Sequence, residues 1–130
     1  MTAAHFHSTG EHVIVDLYEI DPATLCDAGL LETALQEGAA KAGATILFSH
    51  FHQFGEGRGI TGVVLLAESH LSIHTWPESG FAALDIFMCG AASPQRALDV
   101  ILIALAAPRH RVRRLSRGGD NAIGLGEIAA

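Results

Sequence analysis

The sequence predicts an α+β two-layer sandwich: a mainly antiparallel sheet with two helices on one face. Three observations carry this. Four strand-like runs follow one another between residues 45 and 89, too closely for helical crossovers, so they must pair largely antiparallel. Only two stretches carry helical periodicity, one on either side of that block. A chain of 130 residues is long enough for one compact domain and short for two, so 1–130 is read as a single domain.

Each element follows from its local pattern. "HVIVDLYEI", His12 to Ile20, alternates, with Val13, Val15 and Leu17 on one side, and predicts a half-buried strand. Asp21-Pro22 offers an N-cap and a first-position proline, so the helix either starts at Asp21 or restarts at Asp27. Leu31, Leu35, Ala39 and Ala42 form its apolar stripe, and Gly43 stops it. "TILFSHFHQF" is a strand by its β-branched and aromatic content, and "GEGRG" is a turn. "ITGVVLLAE", "HLSIHTW" and "FAALDIFMC" are the next three strands, and Pro77 ends the middle one. Ser93 and Pro94 open a second helix with Leu98, Ile101, Leu102 and Leu105 on its stripe. Pro108 stops it, and "HRVRRLS" is a last strand. The sheet face opposite the helices then needs a cover, which a second copy packed sheet to sheet would supply.

Composition narrows the function. The formal charge is −6, eight Lys and Arg against fourteen Asp and Glu, which disfavours a nucleic-acid partner. Five of the eight basic residues fall in Arg109–Arg117, where they suit a solvated edge strand that resists edge-to-edge pairing. No apolar run reaches a membrane span, and the start lacks a signal-peptide pattern. Two cysteines do not make a disulfide framework, so a cytoplasmic setting is expected. Hydrophobic residues make up 49%, more than a small monomer hides easily, which points to a homo-oligomer.

The informative stretch is "LLAESHLSIHTWPESGFAALDIFMCG", Leu65 to Gly90. Alternation puts Leu71, Ile73 and Thr75 on one face and His70, Ser72, His74 and Trp76 on the other. That second face is polar and aromatic rather than simply solvated, with Glu78 just past the proline. A single Ser, His or Cys in a small domain is more often structural, and only their clustering makes this a candidate site.

"ESHLSIHTWPE", followed by "GFAALDIFMCG", closely resembles the short, prokaryotic S-adenosylmethionine decarboxylases. "GATI" and "FHQF" upstream fit the same layout, so the likeness covers nearly the whole chain and thins at both ends. It implies self-cleavage between Glu68 and Ser69, which leaves a β chain, 1–68, and an α chain, 69–130, headed by a pyruvoyl group made from Ser69. It implies no metal and no pyridoxal phosphate. In such a maturation the Ser69 hydroxyl attacks the Glu68 carbonyl, and a base then removes the Ser69 α-proton. The resemblance gives that base role to His74, whose side-chain type titrates near neutral pH. Thr61 is a candidate for processing support. The substrate amine would form a Schiff base with the pyruvoyl ketone, and the resemblance makes Cys89 the proton donor after carbon dioxide leaves. Phe54 and Trp76 would sandwich the adenine, and Glu78 would hold the ribose. The implied product is the decarboxylated aminopropyl donor for polyamine synthesis; the polar-aromatic sheet face and the 49% hydrophobic content lead us to expect a homodimer with its sheets facing each other.

Two alternatives remain at this level. Another pyruvoyl-dependent decarboxylase, acting on arginine or ornithine, would use the same cleavage chemistry. A metal-binding module built on His50 with His52, or His70 with His74, is the alternative from a different class.

Overall fold

The computed structural model describes residues 9–119. Six strands form one sheet in the order β2-β3-β4-β5-β1-β6. They are β1 (Thr9–Tyr18), β2 (Ile46–Gln53), β3 (Ile60–Leu66), β4 (Ser69–Trp76), β5 (Phe81–Cys89) and β6 (Arg109–Gly118). Every neighbouring pair is antiparallel. The helices are a single turn, α1 (Pro22–Leu25), and two longer ones, α2 (Ala28–Lys41) and α3 (Pro94–Leu105). The architecture is the predicted α+β sandwich.

The ambiguity over the first helix start has a structural answer, because both caps are used. The Asp21 carboxylate accepts from the Ala23 N–H and opens α1, and the Asp27 carboxylate accepts from the Leu30 N–H and opens α2. The predicted stripe Leu31, Leu35, Ala39 and Ala42 is buried, as are Leu98, Ile101 and Leu105 of α3. Against them pack Val13, Val15, Leu17, Val64, Leu71, Ile73, Leu84 and Ile86 from one sheet face. Burying each such side chain contributes about 1.5–3 kcal/mol.

The other face carries no layer among the described residues. Strand register arranges it in cross-strand rows. One row runs Trp76, Phe81, Tyr18, Arg109, and the next runs His52, Thr61, His74, Ala83, Asp16, Arg111. Further along come Ser72 and Asp85, then Leu65, His70, Phe87, His12 and Leu115. The basic segment is the edge strand β6, as predicted, and Arg109, Arg111, Arg113 and Arg117 share this open face by alternation.

Candidate active site

The predicted residues fall into two groups at opposite ends of β4. At its start, β3 and β4 are joined by a two-residue turn, Ala67 and Glu68, with Leu66 paired to Ser69. Glu68 adopts φ 66°, the left-handed region that costs a side-chain-bearing residue about 1–2 kcal/mol. The strain sits on the residue that precedes Ser69. The turn is pinned on its far side, where Ala67 N–H donates to the Thr45 carbonyl at 2.9 Å. Cys89, the last residue of β5, donates its backbone N–H to Ser69 Oγ at 3.2 Å. Glu68, Ser69 and Cys89 are therefore brought together.

A wall stands beside Cys89. A Cβ at Gly10 would lie 2.6 Å from the Phe87 ring and 3.3 Å from Cys89 Sγ, so only glycine leaves room for Phe87 over β1. His70 and His12 flank that ring at 5.5 and 5.9 Å, and His12 Nε2 lies 3.0 Å from Asp85 Oδ1.

At the other end of β4, Phe54, Arg58, Gly59, Thr61, His74, Trp76 and Glu78 surround a cavity of about 330 Å³. Thr61 Oγ1 and His74 Nδ1 are 3.0 Å apart. Trp76 is 40% exposed and Phe54 62%, so both rings keep free surface at the cavity. A larger hollow of about 510 Å³ lies beyond Cys89, and its walls include Thr9 and Gly119, the two ends of the described chain, but none of the predicted site residues.

His74 follows Ser69 by five residues on one extended strand, which at about 3.3 Å per residue separates them by roughly 16 Å. One chain does not bring the expected base to the serine it would serve. Thr61 likewise belongs with His74, away from Glu68. The histidine pairs of the metal-binding alternative gather no third ligand: among the described residues no three of His, Cys, Asp and Glu converge.

Arg58 and Gly59 were not singled out from sequence. The signal was present in the "GEGRG" turn, which spans the short interval between two wall residues, Phe54 and Thr61. A Cβ at Gly59 would lie 2.2 Å from the Thr75 carbonyl oxygen, and the Gly59 carbonyl accepts from Phe54 N–H at 3.0 Å. Gly59→Ala should therefore push the end of β4 outward and cost about 1–3 kcal/mol. Thermal unfolding checks this, and an unchanged melting temperature would contradict it.

The S-adenosylmethionine decarboxylase family model matches residues 11–118. The chain belongs to the S-adenosylmethionine decarboxylase family. Among similar proteins is the S-adenosylmethionine decarboxylase proenzyme of Parasynechococcus marenigrum (strain WH8102), 50% identical over 109 residues, 83% of this chain and 84% of that one. The proenzyme of Thermotoga maritima is 42% identical over 121 residues, 92% of either chain. A crystal structure of the adenosylmethionine decarboxylase from Aquifex aeolicus VF5 superposes with a TM-score of 0.77 at 36% identity, covering 95% of this chain and 98% of that one. The matched span of the S-adenosylmethionine decarboxylase family model contains both ends of β4, so both separated groups lie inside it.

Proposed function

We propose that this chain is a proenzyme that cuts itself between Glu68 and Ser69 and then removes carbon dioxide from S-adenosylmethionine, yielding an aminopropyl donor for polyamine synthesis. The observation that carries the reading is the left-handed Glu68 directly before a serine whose hydroxyl lies against the Cys89 backbone. Similar proteins are named proenzymes of this decarboxylase, which supports the same reading.

The residues present fit a pyruvoyl group at position 69. The residue there is a serine at a hairpin tip, the preceding peptide is strained, and a thiol-bearing residue adjoins it. Ser69 Oγ is the nucleophile toward the Glu68 carbonyl carbon, and relief of the left-handed φ favours giving up that peptide bond. The bound group supplies the ketone that takes the substrate amine and the electron sink for loss of carbon dioxide. Cys89 Sγ holds the proton that replaces the lost carboxylate. At the other end, Phe54 and Trp76 offer flat faces to a purine and to a sulfonium cation. Glu78 accepts from ribose hydroxyls, as carboxylates do in other nucleotide sites. This nucleoside-shaped wall has no use in an arginine or ornithine decarboxylase.

The roughly 16 Å between the two groups is resolved by a homodimer. Two sheets packed face to face lie about 10 Å apart. A two-fold axis crossing the strands near Ser72 would set the Ser69 end of one chain opposite the His74 end of the other, twice over. Phe48, Leu65 and Leu115 are exposed apolar residues on strands of that open sheet, which suits a partner. Each active site would then combine Glu68, Ser69 and Cys89 of one chain with Phe54, Thr61, His74, Trp76 and Glu78 of its partner. No described helix is long and apolar enough to cross a membrane.

Intact mass spectrometry of the purified protein, with carbon dioxide release from S-adenosylmethionine, arginine and ornithine, tests the proposal. Two fragments meeting at Glu68 and release from S-adenosylmethionine alone are expected. An intact, active chain would overturn the pyruvoyl reading. Cys89→Ala should still cleave, yet lose about 100-fold or more in kcat, because a positioned proton donor contributes that much. It should also lose activity in proportion to turnovers. Normal turnover in this variant would remove Cys89 from the mechanism.

A further inference from the structure

We infer that Thr75 and Phe81 are positioning residues that preset Trp76 as a stacking platform before any ligand arrives. The inference rests on the nucleoside-binding role proposed for the cavity. Trp76 is the last residue of β4, followed by a proline that cannot continue the ladder. A strand end in that situation is free to fray unless something holds it.

Thr75 supplies the hold. It is the one buried polar side chain among the described residues, 5% exposed, on the helix-facing side of the sheet. Its hydroxyl donates to the Leu25 carbonyl at 2.8 Å and accepts from the Ile60 N–H at 2.9 Å. Leu25 ends α1, where carbonyls lack helical partners, and Ile60 begins β3. One hydroxyl thus joins three elements at the rim of the cavity. The Thr75 carbonyl is held on the Gly59 side, where no Cβ fits. Alternation then directs the neighbours His74 and Trp76 to the open face, where both line the cavity.

Phe81 fixes the ring. It stacks on the Trp76 indole with centroids 5.2 Å apart and planes 28° apart. Phe81 is itself backed by Tyr18 at 5.6 Å, and the Arg109 guanidinium lies 5.8 Å from the Tyr18 ring. The row continues from β4 to the sheet edge, so the indole is supported from one side while keeping exposed surface at the cavity. A ring already ordered loses less freedom when a flat heteroaromatic ligand binds, which tightens binding.

Trp76 is the only tryptophan of the chain, so fluorescence excited where tyrosine does not absorb reports on this site alone. Wild type, Thr75→Val, Thr75→Ser and Phe81→Leu are compared as purified full-length gene products. Without ligand, the valine and leucine variants should show lower Trp76 anisotropy and red-shifted emission. Quenching by adenosine should weaken by about five- to tenfold, the scale of ordering one more side chain. The loss in kcat/KM should fall mainly on KM. Thr75→Ser, which keeps the hydroxyl, should match wild type. Wild-type anisotropy and adenosine affinity in both Thr75→Val and Phe81→Leu, whatever their melting temperatures, would overturn the inference. If Thr75→Val does not fold, Phe81→Leu decides by the same two readouts. A wild-type protein that neither responds to adenosine nor decarboxylates S-adenosylmethionine would overturn the proposed function, while the ligand-free anisotropy comparison would still decide the positioning role.

Discussion

Ser69→Ala should yield one uncut chain with no measurable decarboxylation, a loss of at least about 10⁴-fold. The variant removes a single oxygen from the hairpin tip. Among the described residues Ser69 Oγ has one hydrogen-bond donor, the Cys89 N–H, and Ser69 is only half-buried, so the fold should persist. Glu68 would remain in its left-handed turn with no nucleophile beside it. Denaturing electrophoresis distinguishes one band from two, and the radiolabelled carbon dioxide assay reads activity on the same sample. Cleavage in this variant would mean that another group attacks the Glu68 carbonyl. Activity without cleavage would mean that the chemistry needs no pyruvoyl group.

Co-expression of Ser69→Ala with His74→Ala should restore cleavage that neither variant shows alone. In a mixed dimer, the His74→Ala chain offers an intact Ser69, and the Ser69→Ala chain offers an intact His74. If the site is shared, one of the two sites in each mixed dimer is complete. The cleaved fragments should then come only from the His74→Ala chain, which a tag of distinct mass on each chain would reveal. Activity should return to a sizeable fraction of wild type, set by the proportion of mixed dimers. If His74 served the serine of its own chain, mixing would restore nothing. That outcome would require the end of β4 to fold back across roughly 16 Å and would refute the proposed dimer.

Which sheet face each side chain of β4 takes was legible in the sequence. The period of two in "SHLSIHTW" placed His70, Ser72, His74 and Trp76 on one face, and the sheet places them so, because alternation is built into the extended backbone. Cap chemistry marked Asp21 and left a restart at Asp27 open, and both carboxylates accept from an N–H within three residues. The basic run Arg109–Arg117 was legible as an edge strand, since charge on an exposed ladder needs no tertiary partner to explain it.

Relations between distant residues were decided only in three dimensions. Ser69 and His74 stand five apart in the chain, and that nearness concealed their separation, because an extended strand turns each residue into length. Ser69 and Cys89 stand twenty apart and meet, because the β4–β5 hairpin folds one onto the other. Thr75 looked like an ordinary residue of the buried face. Its role depends on a helix end, Leu25, and a strand start, Ile60, arriving at one hydroxyl. Local sequence specifies which face a side chain takes, through short-range backbone geometry. Which side chains share a site is set by strand register and layer packing, which join residues with no local relation.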